Sequence, residues 1–170
     1  MESVIAPITR RPRDPGRAIC QAGKVNEGVI EQIAISPENE RLPQPVASVQ
    51  VVAGKGLVGD RYFDDGSENA LTLIQAEALE GLLVDTGIEL SHEASRRQVL
   101  TRGIELNPLV GKRFRVGDVL CEGIELCEPC NHLQGLTQPG VLRGMVHRAG
   151  LRAAVLEGGT IAPGDVVRPV

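Results

Sequence analysis

Short segments in which apolar and polar residues alternate constrain the fold of this chain most strongly. They lie at residues 19–36 and 46–53 and are rich in β-branched side chains, and residues 112–127 and 151–161 are predicted to form further strands. Such alternation over a few residues is typical of strands with one buried face. There is no regular β-α-β alternation, no long-period repeat and no low-complexity linker. The sequence therefore predicts a mostly β fold, a closed or nearly closed β-barrel decorated by a few short helices.

Glycine-containing turns separate several of these segments. Gly117-Asp118 suits a tight turn, so residues 113–116 and 119–122 are predicted to form a β-hairpin. A similar turn is predicted at Gly164-Asp165. Residues 151–161 are expected to hold a further pair of strands around Gly158-Gly159.

The clearest helix is predicted to begin at Thr72, because Thr72 and Gln75 have the spacing of a capping box. Gly87 can end this helix in a left-handed conformation. Apolar residues recur between them at helical spacing: Leu73, Ala76, Leu79 and Leu83. We expect this helix to cover the barrel without a role in chemistry. Residues 129–149 carry shorter helical signals.

The composition fits one globular domain. Hydrophobic residues make up 42% of the 170 residues, but aromatic residues only 2%, so Val, Leu, Ile and Ala must build the core. No domain boundary is visible within residues 19–170, and residues 1–18 are predicted to be a flexible tail. The shortage of aromatic residues and a net charge of −4 argue against a nucleic-acid partner.

No apolar run approaches the ~20 residues that span a bilayer, so no membrane association is expected. The N-terminal region has no apolar stretch suited to a secretory signal. The four cysteines are therefore expected to be reduced thiols in a cytoplasmic protein. Basic residues crowd into one stretch, which suits either a small anionic ligand or a solvated charged face: Arg96, Arg97, Arg102, Lys112, Arg113 and Arg115.

The most informative local feature is Cys127-Glu128-Pro129-Cys130, where a predicted strand passes into a predicted helix. Proline is favoured at the first helical position, which would place Cys130 in the first turn. Free N–H groups there favour a thiolate, which is a nucleophile and a soft metal ligand. Cys121 lies within a strand segment and lacks this setting.

Three other interpretations of the CxxC pair stay open. His132 and His147 could complete a zinc site, although their spacing fits no standard finger. A thioredoxin-like redox pair would need a βαβ context, which is missing. Both cysteines could also be small buried hydrophobic residues.

Several motifs occur in an order that resembles the MOSC family, named for the C-terminal domain of molybdenum cofactor sulfurase. The resemblance covers residues 19–170 and rests on these blocks: Gly56-Leu-Val-Gly-Asp-Arg61, 71–78, Arg96-Arg97, 101–107, 109–114, Glu125-Leu-Cys-Glu-Pro-Cys130, 140–148 and 158–161. It implies a barrel related to the one inserted in pyruvate kinase. It also implies a role in handling molybdenum cofactor (molybdopterin) or activated sulfur, with no requirement for pyridoxal phosphate.

The resemblance also implies roles for individual residues. Cys130 matches the cysteine that coordinates molybdenum in better-understood relatives, and Cys127 is a weaker candidate, a resolving or structural thiol. Arg is suited to the phosphate of the cofactor, so Arg96, Arg97 and Arg102 are the candidates for its anionic end. Asn107 would bind the pterin or hold a loop. Further cofactor-binding candidates are Arg61, Arg143 and His147.

Three functions follow as expectations. Molybdenum on Cys130 would reduce N-hydroxylated small molecules, with electrons from an external donor protein. Alternatively, Cys130 would carry sulfur from a donor protein as a persulfide for assembly of metal–sulfur centres, with Cys127 as the resolving thiol. In the third, the protein would bind the cofactor without turnover. Several relatives carry an additional N-terminal β domain that helps to enclose the cofactor, and here about 18 residues of tail take its place.

Overall fold

The computed structural model describes residues 26–39, 41–66 and 70–170. The predicted tail over residues 1–18, the first part of the predicted strand segment and Cys20 lie outside these ranges. The described strands are β1 (Gly28–Ile35), β2 (Gln44–Pro45), β3 (Val49–Val52), β4 (Gly56–Leu57), β5 (Leu71–Gln75), β6 (Val99–Arg102), β7 (Arg113–Val116), β8 (Val119–Leu126), β9 (Leu151–Glu157), β10 (Gly159–Ile161) and β11 (Val166–Pro169). The described helices are α1 (Ala76–Thr86), α2 (His92–Ser95), α3 (Asn131–Leu136) and α4 (Val141–Gly144), with a 3₁₀ turn at Asn107–Leu109.

Seven strands close into a barrel in the order β11-β7-β8-β9-β5-β6-β1. The ring closes because β1 pairs with both β6 and β11, with Gly28 opposite Val167 on the second side. All neighbours are antiparallel except β5 and β6, which are parallel. β2 extends the sheet beside β1, and β3, β4 and β10 form a separate three-stranded sheet. The prediction of a mostly β barrel with a few short helices is confirmed.

The hairpin predicted around Gly117-Asp118 is confirmed. β7 and β8 pair with Val116 opposite Val119 and Phe114 opposite Cys121. Phe114 and Cys121 are fully buried in the barrel interior. Alternation and a two-residue turn therefore fix both the register and the buried face of this hairpin.

The predicted helix start at Thr72 is wrong, because residues 71–75 form strand β5 and the helix begins at Ala76. β5 lies between β6 and β9, and Leu71, Leu73 and Ile74 are all buried. A strand buried on both faces loses its alternation, so its sequence can be mistaken for a helical one. The predicted end is confirmed: Gly87 has φ 73°.

The predicted pair of strands over residues 151–161 is only partly correct. Both strands form, as β9 and β10, but they do not pair with each other. β9 lies in the barrel between β8 and β5, whereas β10 pairs with β3. The Gly158-Gly159 step thus carries the chain from one sheet to the other.

Two apolar clusters stabilise the fold. The first fills the barrel with aliphatic residues around Phe114. The second lies beneath the helices and includes Leu82 of α1 and Met145 after α4, both fully buried. Through Ile74 and Leu100, this second cluster packs the helices against β5 and β6. Within the described ranges, no helix combines the length and apolar character needed to cross a membrane.

Candidate functional site

A cavity of about 500 Å³ opens at the end of the barrel where β8 leads into α3. This volume lies in the range of small-molecule sites. Segments far apart in the sequence line it, and its polar lining residues include Asp60, Arg61, Tyr62, Thr72, Arg96, Arg97, Gln98, Cys127, Glu128, Cys130, His132 and Arg152. Both cysteines of the CxxC pair therefore face one cavity with several arginines.

The segment from Cys127 to Cys130 joins β8 to α3 without forming a turn. The Cys127 amide donates a hydrogen bond to the Gly150 carbonyl (2.8 Å), and its thiol is buried. Cys130 is exposed and caps α3, since its Sγ accepts a hydrogen bond from the Leu133 amide (3.5 Å). Pro129 is therefore not the first helical residue, because Cys130 is extended (φ −133°, ψ 166°) and the helix starts one residue later.

Arg97 lies beneath this segment and is 9% exposed. Its guanidinium donates to three backbone carbonyls, those of Ala149 (Nε, 2.8 Å), Ser95 (Nη1, 3.2 Å) and Cys127 (Nη2, 3.0 Å). No described carboxylate forms an ion pair with it. Burial lowers the pKa of Arg97. Arg97 thus joins three segments and contributes positive charge to the cavity.

Arg152 of β9 is a cavity residue that the sequence reasoning missed. Its Nε donates to the Cys127 Sγ (3.4 Å), a contact that raises the pKa of Arg152. Its Nη1 lies 3.6 Å from the Glu125 carboxylate. The sequence predicted strand structure at this position. It could not indicate that this position faces Cys127.

A buried polar network holds another part of the cavity wall. Asp60, 7% exposed, accepts hydrogen bonds from the Ser36 amide (2.9 Å), the Tyr62 amide (3.1 Å) and the Gln98 side chain (3.0 Å). The Gln98 side-chain oxygen in turn accepts from the amide of Thr72 (2.8 Å). These bonds fix the loop that presents Arg61.

Arg61 is placed beside this network, with its guanidinium 4.4 Å from the centre of the Tyr62 ring. Its Nη2 donates to the Tyr62 hydroxyl (3.2 Å), while its Nε is buried without a hydrogen-bond partner. A buried donor without a partner is costly, so this atom is available to a ligand acceptor. Arg96 lines the same cavity, and its Nη1 donates to the Arg41 carbonyl (3.1 Å).

The other predicted site residues lie elsewhere. Arg102 is bound on the surface by the carboxylates of Glu31 and Glu80. Arg143 is an exposed residue in the last turn of α4. Neither side chain is part of the cavity lining described above.

Asn107 and His147 lie next to the cavity rather than in its lining. The Asn107 side chain donates to the His147 carbonyl (2.7 Å), which fits the loop-holding role considered for it. The Glu128 carboxylate accepts a hydrogen bond from the His147 amide (2.9 Å) and lies 2.7 Å from its Nδ1. The hydrogen bond from the His147 amide is the main cause of the lowered pKa of Glu128. Through Glu128, both residues support the segment that carries Cys130.

Among the described residues, no group of three or more His, Cys, Asp or Glu side chains is arranged to hold a metal ion. Cys127, Cys130, His132 and His147 therefore do not form the four-ligand zinc site considered from the sequence. The cavity instead holds two cysteine thiols together with four arginines and several carboxylates.

A family model described as the MOSC domain matches residues 60–168, which contain most of the cavity. Among solved structures, the YuaD protein of Bacillus subtilis is 15% identical, with a TM-score of 0.73 over 83% of this chain and 94% of that chain. YiiM from Geobacillus stearothermophilus is 19% identical (TM-score 0.66, 84% and 75% covered), and YiiM from Escherichia coli is 16% identical (TM-score 0.62, 84% and 69% covered). A search of curated proteins finds no significant match.

Because the sequence identities are low, the similarity to these solved structures shows the fold and nothing more. The family model, by contrast, spans more than half of the chain and includes the Asp60-Arg61 loop, the arginine pair and the CxxC segment. The chain belongs to the MOSC domain family.

Proposed function

We propose that this protein binds a molybdenum–pterin cofactor in the cavity, with Cys130 as the protein ligand to the metal, and reduces N-hydroxylated small molecules. The observation that carries the proposal is the exposed Cys130 thiol in a cavity lined by Arg61, Arg96 and Arg152. Thiolates are suitable ligands for soft metals, and guanidinium groups bind phosphate in a bidentate manner.

The residues present fit the cofactor on three grounds. The cavity volume of about 500 Å³ is that of a small-molecule site. The Arg61 Nε is a buried donor that lacks a partner, as expected of a site that receives an acceptor group. The polar lining offers both donors and acceptors for the edge of a pterin.

Each cavity residue then has a distinct task. Cys130 would hold the metal, and Arg61 with Arg96 would bind the anionic end of the cofactor. Arg152 would stay next to Cys127 through its contact with the sulfur, adding positive charge near the metal ligand. Arg102 and Arg143 are left out of this assignment because of their positions.

When bound, the cofactor supplies two-electron oxygen-atom transfer. The chain contributes the thiolate, the orientation of the cofactor and the positive potential. Electrons would come from an external donor protein, and the opening of the cavity gives a small substrate access to the Cys130 side.

A sulfur carrier is the second candidate, and the exposure of Cys130 favours it. A thiol buried like Cys121 could not meet a donor protein, whereas Cys130 at the start of α3 can. In this case the Cys130 thiolate would attack the terminal sulfur of a donor persulfide, and the donor thiolate would leave.

The deciding experiment is metal analysis of the protein purified from a host that makes molybdenum cofactor, next to the Cys130→Ser variant. A Cys121→Ser variant is the matched control, because that thiol is buried inside the barrel. We expect about one molybdenum per chain in the wild type and the control, and none in Cys130→Ser. Reduction of an N-hydroxylated compound with a chemical electron donor should follow the molybdenum content.

Other outcomes would contradict the proposal in distinguishable ways. Molybdenum retained in Cys130→Ser would refute metal ligation by Cys130 and favour a binding module without turnover. Absence of molybdenum from every form would refute the cofactor assignment. A persulfide detected on Cys130 by mass spectrometry would then support the sulfur carrier.

A further inference from the structure

Arg97 differs from the other cavity arginines because it is buried and its hydrogen bonds go to backbone carbonyls. These carbonyls belong to Ser95 at the end of α2, Cys127 after β8 and Ala149 after α4. Arg102, by contrast, lies between two carboxylates. In the part of the chain that the structure describes, the positive charge of Arg97 has no carboxylate partner.

Burying a cation that is bound only by neutral groups has a large desolvation cost, so such a residue is unusual where it serves packing alone. No described carboxylate of the cavity wall forms a hydrogen bond or an ion pair with Arg97. Asp60 is occupied by three N–H donors, and Glu128 by His147. When ionised, Cys127, Cys130 and Tyr62 would each favour the Arg97 charge, whereas the charge of Arg152 opposes it.

We propose that Arg97 is a positioning residue for Cys130, which fixes the Cys127 carbonyl and holds a positive charge next to the two thiols. Two hydrogen bonds anchor the same residue, Cys127, through its carbonyl and its amide. The Cys127 carbonyl accepts from Arg97, while the Cys127 amide donates to Gly150, the residue after Ala149. The chain between Cys127 and Cys130 therefore leaves β8 from a fixed point in a fixed direction.

This role deepens the proposed function and rests on its use of Cys130. It differs from the role that the sequence suggested, in which Arg97 would contact the anionic end of the cofactor. At least three of the five N–H groups of Arg97 are already bound to carbonyls, so it acts on the site through the Cys127 segment and through its charge.

The test measures the reactivity of Cys130 in the full chain without molybdenum, using two alkylating reagents. Iodoacetate is an anion and iodoacetamide is neutral, and both react with the same thiolate. The ratio of their rates therefore cancels the thiolate fraction and reports the local potential. Modification is read at Cys130 by peptide mass spectrometry, and Cys121 serves as an internal reference, since burial raises its pKa to about 12.

Two variants separate charge from hydrogen bonding. Arg97→Met removes both and should lower the iodoacetate-to-iodoacetamide ratio by about three- to tenfold, the effect of one charge acting through a partly aqueous cavity. Arg97→Lys keeps the charge and should keep the ratio, but it cannot reach all three carbonyls. Both variants should accelerate hydrogen exchange at the Cys127 amide.

Arg115→Met is the matched control. Arg115 also donates to a backbone carbonyl, that of Asp118 (2.8 Å), but it lies opposite Leu120, away from the Cys127 end of β8. It should change neither the ratio nor the exchange at Cys127.

An unchanged ratio in folded Arg97→Met, or an equal fall in Arg115→Met, would overturn the proposal. If Arg97→Met does not fold, Arg97→Lys is the deciding variant. Unchanged hydrogen exchange at the Cys127 amide in that variant would overturn the proposal. Because no molybdenum is involved, these outcomes are independent of whether the metal assignment succeeds.

Discussion

Replacement of Asp60 by asparagine tests the polar network that holds the Arg61 loop. The Asp60 Oδ2 accepts from the Ser36 amide, while Oδ1 accepts from the Tyr62 amide and the Gln98 side chain. Asparagine has the same shape but offers only one acceptor oxygen. Whichever way the amide is oriented, an NH₂ group must face at least one N–H donor.

The size of the effect follows from these bonds. A hydrogen bond to a charged group contributes about 1.5–3 kcal/mol, and a buried donor left without a partner costs about 1–3 kcal/mol. We expect the free energy of unfolding of Asp60→Asn to fall by about 2–4 kcal/mol. For a chain of this size, that corresponds to a decrease in Tm of roughly 4–16 °C.

The assay is urea unfolding followed by circular dichroism, with Asp64→Asn as the matched control. Asp64 lies in the same loop but forms an exposed ion pair with Lys55 (2.9 Å), which should contribute less than about 1 kcal/mol. A loss for Asp60→Asn no larger than that of the control would refute the role assigned to this network.

Three further predictions concern buried residues. Gly150→Ala should lower the free energy of unfolding by about 2 kcal/mol or more, because φ is +116° and a Cβ would overlap the Leu73 carbonyl oxygen; thermal unfolding checks this. Leu82→Ala should cost about 2–5 kcal/mol by urea unfolding, since Leu82 is fully buried beneath α4, whereas Val84→Ala, at an 84% exposed position, should stay within about 0.5 kcal/mol. Burial lowers the pKa of His92, so the folded protein keeps it neutral while the unfolded chain takes up a proton. Stability should therefore fall as the pH drops below about 6.5, by at most about 1.4 kcal/mol per pH unit, and His92→Leu should reduce this slope in urea unfolding measured between roughly pH 5.5 and 7.5.

Sequence patterns over a few residues predicted the elements whose structure depends on neighbouring residues. The β7–β8 hairpin was predictable because a Gly-Asp turn and alternating residues agree on one register. Thr72 was assigned to the wrong element, because β5 is buried on both faces and its apolar run has no period of two. Its environment comes from β6 and β9, which are distant in sequence.

The same distinction applies to the candidate site. The position of Cys130 was predictable, since it depends on the neighbouring strand-to-helix junction, while its chemical role stays a prediction. Arg61, Arg96 and Arg97 were named from the sequence and line the cavity, but the positions of the other arginines depend on which residues the barrel brings next to them. Glu31 and Glu80 bind Arg102 on the surface, while Arg152, which the sequence did not single out, reaches the Cys127 sulfur.

The path of the chain between Cys127 and Cys130 leads to a last prediction about the sulfur chemistry. A disulfide needs Cα atoms within about 7 Å, whereas three residues of extended chain span roughly 10 Å. No turn or bend brings these two residues together, and Arg97 and Gly150 fix the first of them. Incubation with glutathione disulfide should therefore give a mixed disulfide at Cys130, with one glutathione thiol released, and no Cys127–Cys130 bridge. Intact and peptide mass spectrometry distinguish the two products. An intramolecular disulfide formed as fast in the wild type as in Arg97→Lys would contradict this prediction. It would show that Cys127 can act as a resolving thiol and that the hydrogen bond from Arg97 to its carbonyl does not prevent the reaction.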